Sequence, residues 1–247
     1  MKTRIFLLML VVLILVSNCT NGGGSNYKKF IEKKIAIHPE GQINIVSLQG
    51  NIEISTHKGG DIHLTALVES DSTIGPEETV FKLEWEGKSL NILPAAKRTK
   101  PEVSIDYILE VPEQLQAVLL TARSGDVRAK GSYKKLEINT VNGAVVFQGE
   151  FSGCAFSSSN GDMDIRVTDT LKGGITARNI NGNVTVTLYP DSGFHVIART
   201  AGGTIQTDFE IPITKDTRGQ QLTGTVNNGA HGININTVNG SIKLLKH

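Results

Sequence analysis

A twelve-residue phrase occurs three times in succession between Leu136 and Leu188. It reads LEINTVNGAVVF, then CAFSSSNGDMDI, then ITARNINGNVTV. Each copy has alternating apolar residues, a turn centred on Asn-Gly, and a second alternating stretch. A period of two on both sides of a turn indicates two strands, each with one buried face.

Seven glycines align on this turn, and the central ones are 18 or 21 residues apart, which is the spacing of a solenoid. At the positions seven and five before the glycine, and two and four after it, all 28 residues but Thr207 are apolar. The copies match column by column, which favours parallel stacking at about 4.8 Å per copy over isolated hairpins. The turn glycines, to which we assign a structural role, are Gly50, Gly125, Gly143, Gly161, Gly182, Gly203 and Gly240.

A long insertion separates the first two copies of the phrase. The residues alternate in polarity over 62–68, 81–85 and 103–111, which predicts an antiparallel β-meander within residues 57–115. We expect it to cover the N-terminal end of the solenoid, where an open rung would expose unpaired backbone. For Trp85, core or cap packing is favoured over ligand stacking. The fold class expected is all-β, a parallel β-helix-like solenoid with this insertion, in one domain over residues 29–247.

The N-terminus has the features of a signal peptide, assigned to residues 1–18. Lys2 and Arg4 precede an apolar run of twelve residues, Ile5 to Val16, which is too short to cross a bilayer core of about 30 Å. The sequence LVSNC, residues 15–19 at the end of this run, resembles the bacterial lipobox. That resemblance implies that Cys19 is lipidated; the alternative is an ordinary secretory signal with a chance cysteine.

A lipid anchor would need a flexible connection to the folded domain, and residues 19–28 are assigned to it because Thr20 to Asn26 are Gly-rich and polar. Thr20 stands where an Asp would imply retention at the inner membrane, so the resemblance favours the outer membrane. The expected location is the cell envelope, on either the periplasmic or the surface face. The membrane is thus the first expected partner.

The candidates for chemistry are few. Asp162 and Asp164 share one outward face beside Arg166, and a solvated strand face is favoured there over a cation site or an acid–base pair. Cys154 lies in an inward column, so an inert buried thiol is favoured over a reactive one. Tyr133 is one of two rings expected to be exposed on the central rungs; the other is Tyr189.

No metal, cofactor or catalytic residue is assigned. The six histidines have no metal-ligand spacing, and Ser157 to Ser159 are interpreted as turn packing. A net charge of +1 with 20% charged residues gives no basic field for nucleic acid. The histidines are His38, His57, His63, His195, His231 and His247.

The order of phrases resembles the bacterial adhesin-like β-helix family, a family of unknown function. The resemblance covers roughly Ile35 to Leu244 and rests on SLQGNIEIS, the TVNG and SSNGD rungs, VTLYPDSGFHVIARTAGGTI and the closing ININTVNGSIKL. It implies the solenoid fold, it is not specific for an activity because the family's name rests on analogy with solenoid adhesins, and it carries no catalytic residues.

Three functional hypotheses follow, because a fold alone does not fix a function. The favoured one is a lipid-anchored, non-enzymatic envelope solenoid whose extended polar face binds an unknown protein or glycan partner. The first alternative is a polysaccharide-acting β-helix enzyme that uses Asp162, Asp164 and Arg166. The second is a structural or regulatory envelope component that self-associates laterally.

Overall fold

The computed structural model describes residues 12–13, 27–71, 79–95 and 103–247. In these ranges the chain forms strands and connecting turns and no helix. The strands make two sheets of eleven strands each, so the predicted all-β class is confirmed. The predicted lipidation site Cys19 and the Gly-rich stretch up to residue 26 lie outside the described residues, as does most of the predicted signal peptide.

We call the two sheets leading and trailing, because their strands precede and follow the turn glycines. The leading sheet contains β3 (Gln42–Ser47), β6 (Phe81–Glu86), β7 (Ser89–Pro94), β9 (Ala117–Ser124), β11 (Leu136–Asn142), β13 (Gly153–Asn160), β15 (Gly174–Asn181), β17 (Phe194–Thr200), β19 (Ile213–Asp216), β20 (Gly219–Val226) and β21 (His231–Thr237). The trailing sheet contains β1 (Val12–Leu13), β2 (Tyr27–Ala36), β4 (Ile52–His57), β5 (Asp61–Ser70), β8 (Val103–Pro112), β10 (Val127–Tyr133), β12 (Val145–Phe151), β14 (Met163–Val167), β16 (Val184–Leu188), β18 (Ile205–Thr207) and β22 (Ile242–Lys246).

Each turn glycine joins one leading strand to one trailing strand, and we call this pair a rung. Successive rungs pair in parallel and in register, so that Ile138 lies beside Phe156, and Phe156 beside Ala177. All 27 apolar side chains of the four predicted columns are buried between the sheets, and Thr207 is half-buried. The predicted solenoid with one shared interior is therefore confirmed.

The last two rungs do not stack in chain order. In order along the stack, rungs 1 to 7 have the turn glycines Gly50, Gly125, Gly143, Gly161, Gly182, Gly240 and Gly203. The final strands β21 and β22 enter between the rungs that precede them, each with a parallel neighbour on both sides. The expectation that each copy lies directly above the previous one is wrong here. The 36 residues between the last two glycines include β20, which pairs antiparallel along the outer edge of β17 and leaves only the inner edge for the closing rung.

The inserted strands extend rung 1 in both sheets. In the leading sheet β7 pairs in parallel with β3, and β6 pairs antiparallel with β7. In the trailing sheet β8 pairs in parallel with β4, followed by β5 and β2 in antiparallel pairing. The antiparallel pairs of the insertion thus belong to two different sheets. Together they cover the N-terminal end of the stack.

Trp85 is exposed by 46%, so the expectation of core or cap packing is wrong. It shares the inner face of β6 with Phe81 and Leu83, and both of those side chains pack against the core. Strand β6 is the outermost strand of its sheet. Among the described residues no further strand continues the leading sheet beyond it, and the last inward position therefore remains open to solvent.

Both ends of the stack carry features that oppose pairing with another chain. Strand β2, which is outermost in the trailing sheet apart from the two-residue β1, points Lys29 and Lys33 inward, and Lys29 is buried. Inward-pointing charges on an edge strand oppose edge-to-edge association. At the other end, the backbone N–H of Ile205 on β18 donates to Oε1 of Gln220 at 2.7 Å.

Candidate functional site

The turn glycines form a column in which backbone approaches backbone. A Cβ atom built on any of the seven would lie between 2.0 and 2.3 Å from the carbonyl oxygen of the neighbouring turn, or from that of Ile105 at rung 1. At rung 4, Gly161 also has a φ of +145°, which residues with a side chain rarely adopt. The column therefore sets how closely successive rungs can stack.

On most rungs the residue after the turn glycine holds the next rung through its side chain. The backbone N–H of Asp126 donates to Oδ1 of Asn51 at 2.9 Å, and that of Ala144 donates to Oδ1 of Asp126 at 3.0 Å. The same contact joins Asn183 N–H to Oδ1 of Asp162 at 2.8 Å. Ala144 has no side-chain acceptor and interrupts the series at rung 3.

On rungs 3 to 6 the residue before the turn glycine is an asparagine, and these four side chains form a second ladder. Asn160 donates its Nδ2 hydrogen to Oδ1 of Asn142 at 2.9 Å. Asn181 donates to Asn160, and Asn239 to Asn181, both at 2.8 Å. Asn239 lies 58 residues from Asn181 in the chain, so the ladder exists only because rung 6 is inserted beside rung 5.

Aliphatic side chains project outward beside this ladder, two positions before the glycine. The exposed fractions are 53% for Leu48, 46% for Val141, 49% for Ile180 and 47% for Val238. Isolated exposed aliphatic residues are ordinary, but these four recur in one column, which is interrupted by Arg123 on rung 2 and Ser159 on rung 4. Ile180 and Val238 lie on adjacent rungs.

We call the surface formed by these three positions the turn edge. From rung 3 to rung 7 it carries one ionisable side chain, that of Asp162. In rung order its members are Leu48, Gln49, Asn51, Arg123, Ser124, Asp126, Val141, Asn142, Ala144, Ser159, Asn160, Asp162, Ile180, Asn181, Asn183, Val238, Asn239, Ser241, Ala201, Gly202 and Thr204.

The two aspartates singled out from the sequence line a shallow groove of about 480 Å³ beside the turn edge. Asn183, Thr185 and Lys243 line it as well. The side chain of Asp162 accepts a hydrogen bond from the backbone of the next rung. The side chains of Asp164 and Arg166 have no hydrogen bond or ion pair within the described part of the chain. The groove therefore has one structural carboxylate and one solvated carboxylate, without a group that orients either of them for proton transfer.

Replacing Asp162 by Ala is expected to lower the free energy of unfolding by about 0.5–1.5 kcal/mol, because Asn183 N–H loses its acceptor. Asp164→Ala, two residues along the same strand, is the matched control and should change stability by less than about 0.5 kcal/mol. Urea unfolding of both variants measures the difference. An equal or larger loss for Asp164→Ala would contradict the role assigned to Asp162.

Cys154 is buried as predicted, and its Sγ donates to the carbonyl oxygen of Gly174 at 3.7 Å. Burial raises the pKa of this thiol far above its usual value, so it stays protonated and unreactive at neutral pH. Ser158 is likewise buried at the rung corner, between the half-buried Ser157 and Ser159, in agreement with a packing role.

Tyr133 is buried, which contradicts its expected exposure. Its hydroxyl donates to the carbonyl oxygen of Lys130 at 3.1 Å, and its ring lies 6.2 Å from that of Phe147. Burial raises the pKa of this phenol well above its usual value. Tyr133 lies six residues after Val127 on β10, so the period of two keeps its ring on the inward face to the end of the strand. Tyr189 is exposed as expected and stacks against His247 at 4.5 Å between ring centroids.

The structure brings together two histidines that their sequence spacing did not connect. The rings of His57 and His63 stack with centroids 5.4 Å apart. Nδ1 of His57 accepts the N–H of Gly59, so its Nε2 carries the hydrogen and donates to the carbonyl oxygen of Asp61 at 2.8 Å. Across the described residues, no group of three or more His, Cys, Asp or Glu side chains is placed to hold a metal ion.

A search for membrane spans found no helix of sufficient length and apolar character among the described residues. Curated proteins gave no match to the sequence. Three solved structures that are similar to this chain each have 14% sequence identity to it. The first is a "putative cell adhesion protein" from Clostridium sporogenes, where the match covers 90% of this chain and 100% of that one with a TM-score of 0.47. The second is a "putative adhesin" from Bacteroides fragilis, with 89% of this chain and 97% of that one covered and a TM-score of 0.44. The third is a "putative lipid binding protein" from Parabacteroides distasonis, with 91% of this chain and 98% of that one covered and a TM-score of 0.38.

A family model covers most of the solenoid described above. It matches residues 39–245, from the residues that precede the first rung to the end of the last strand. The resemblance drawn from the repeated phrases is thereby confirmed: the chain belongs to the Toastrack DUF4097 family.

Proposed function

We propose that this chain is a non-enzymatic, lipid-anchored protein of the cell envelope that uses the turn edge for binding or adhesion. The observation that carries the proposal is an asparagine ladder on rungs 3 to 6 that has an exposed aliphatic side chain beside it on three of those rungs, 3, 5 and 6. Folding does not require large aliphatic groups at these outward positions, since Ser159 occupies one of them on rung 4.

The direction of the stack supports an anchored role. The chain enters the solenoid at Tyr27, in the strand next to the N-terminal end of the trailing sheet. Nine strand-to-strand steps separate β2 from β18, which is about 43 Å at about 4.8 Å per step. If Cys19 is lipidated, the eight residues from Cys19 to Asn26 reach at most about 29 Å. The anchored end is then the rung 1 end of the stack, and rung 7 lies at the far end.

The anchor is tested with the full chain expressed from its own signal sequence. We expect incorporation of labelled palmitate and recovery in the membrane fraction, and both should be lost in Cys19→Ser. Cys154→Ser is the matched control, because that thiol is buried, and it should retain the label. Equal labelling of the wild type and Cys19→Ser would refute lipidation at this residue.

The binding role is tested with purified protein immobilised and exposed to solubilised envelope material and to arrays of glycans and matrix proteins. We expect specific retention that decreases when Ile180 and Val238 are both changed to Ser. Thermal unfolding checks that this variant is folded. If the intact protein retains nothing from any of these sources, the binding role is rejected.

A further inference from the structure

We propose that the ligand of the turn edge is a single strand of uncharged polysaccharide that lies along the solenoid axis over rungs 3 to 7. This inference rests on the proposed binding function and names its partner. Four properties of the turn edge support it: its remaining hydrogen-bonding groups, its aliphatic column, its charge and its width.

The asparagine ladder leaves polar groups free for a ligand. Each side-chain amide has two N–H donors and a carbonyl oxygen with two lone pairs. Within the ladder Asn160 and Asn181 use one donor and accept one hydrogen bond each. One lone pair therefore remains on each amide, and one donor remains on Asn181, whereas Nδ2 of Asn160 also donates to the carbonyl oxygen of Val141 at 3.5 Å. The amides recur on rungs 3 to 6, about 4.8 Å apart. A polymer whose repeating unit spans about one rung, as a pyranose residue does, can meet these groups in succession.

The aliphatic column supplies the second half of such a contact. Val141, Ile180 and Val238 stand beside the amides and are about half exposed. A sugar ring has the same division, with hydroxyl groups at its edge and C–H groups on its faces. A strand placed over both columns would direct hydroxyl groups to the amides and C–H groups to the aliphatic side chains.

The charge of this surface favours an uncharged ligand. From rung 3 to rung 7 the turn edge carries only the carboxylate of Asp162 and no lysine or arginine. A polyanion would be repelled by Asp162 at rung 4, and the nearest cations, the exposed Arg178 and Lys243, flank the turn edge and do not lie on it. Polyanion binding ordinarily depends on direct lysine and arginine contacts.

The width of the surface favours a thin ligand. Five rungs at about 4.8 Å and a width of roughly 10 Å give about 200 Å². A stable protein–protein interface needs about 800 Å² on each partner, so a second copy of this chain or another globular protein would bury too little here. An extended peptide repeats every 3.3–3.4 Å per residue and would lose register with the rungs.

The test uses the full mature chain in detergent micelles and affinity electrophoresis in gels that contain one polysaccharide at a time. The uncharged probes are a soluble mixed-linkage β-glucan, a galactomannan and dextran, and hyaluronan is the polyanionic probe. We expect at least one uncharged polysaccharide to retard the protein and hyaluronan to leave it unaffected. The double variant Ile180→Ser/Val238→Ser should weaken the retardation at least tenfold.

The matched control is Ile108→Ser/Ile213→Ser, which removes two isoleucines that are similarly exposed but lie away from the turn edge, at 48% and 41%. It should bind as the intact protein does. Equal weakening in the two variants, or retardation by hyaluronan alone, would overturn the inference while leaving a binding function in place. If none of the three uncharged polysaccharides retards the protein but the protein retains a partner protein from envelope material, the inference is also overturned and the binding function stays in place. Failure of every probe and of envelope material would reject both proposals.

Discussion

Gly161→Ala is expected to lower the free energy of unfolding by about 3 kcal/mol or more. The new Cβ would lie 2.1 Å from the carbonyl oxygen of Gly143, a backbone atom held by the parallel pairing of rungs 3 and 4. The φ of +145° adds strain that a residue with a side chain relieves only by moving the turn. The two effects act together, and both are transmitted to the neighbouring rungs. Equilibrium unfolding in urea measures the loss.

Gly153→Ala is the control for this experiment. Gly153 is eight residues earlier on the same rung, its φ is outside the left-handed region, and a Cβ added to it would have no atom within 4 Å. This substitution should change the free energy of unfolding by about 0.5 kcal/mol or less, and any increase would come from the lower conformational entropy of the unfolded chain. A Gly161→Ala variant as stable as Gly153→Ala would show that the rungs do not approach as closely as described.

Phe147→Ala is expected to cost about 3–5 kcal/mol, the range measured for deletion of buried aromatic side chains. Phe147 is fully buried on rung 3, and its ring contacts Phe151 at 5.5 Å and Phe156 at 5.8 Å between centroids. Tyr133 packs on a third side. The rungs are fixed by their hydrogen bonds, so the surrounding backbone cannot collapse into the space that is left.

Gln148→Ala tests whether the cost is specific to the interior. Gln148 follows Phe147 on β12 and is exposed on the outer face of the trailing sheet. Its removal should change the free energy of unfolding by less than about 0.5 kcal/mol. Similar losses at the two positions would mean that the alternation along β12 does not separate interior from solvent. Both variants are compared by their urea midpoints at equal slope.

The interior could be predicted from the sequence because the physics that fixes it is local. A period of two determines which side chains share a face, and a constant spacing between turns determines which of them align. Ile138, Phe156 and Ala177 therefore meet in one column as expected. The small residues at the corner follow from the same geometry, since Thr140 and Ser158 are both buried where the two sheets converge.

The order of the last rungs and the asparagine ladder could not be predicted in this way. Nothing within the phrase around Gly240 states whether it adds to the end of the stack or enters before the rung of Gly203, because both positions offer the same parallel pairing. The choice depends on β20, which occupies the other edge of β17. The contact between Asn181 and Asn239 exists only after that choice.

The candidate site, too, could be predicted from the sequence only in part. The sequence identified Asp162 and Asp164 as a pair on one face, which is correct, but only the hydrogen bond from Asn183 shows that Asp162 supports the next rung. The exposed aliphatic column could have been found by reading the position two before each glycine, where Val141, Ile180 and Val238 recur. That position belongs to the outward phase of the leading strand, where the alternation predicts polar residues, so aliphatic residues there depart from the pattern.

Disulfide trapping tests the arrangement of the stack most directly. In a chain that carries Cys19→Ser and Cys154→Ser, cysteines are placed at Asn181 and Asn239, which form a parallel bridge between rungs 5 and 6. Parallel neighbours about 4.8 Å apart are within reach of a disulfide. We predict rapid, nearly complete oxidation of this pair in the folded protein, and little for the pair Asn181→Cys/Gly202→Cys, which a stack in chain order would place on adjacent rungs. Efficient cross-linking of the second pair and not of the first would contradict the inserted rung, and with it the continuous asparagine ladder on which the proposed binding surface depends.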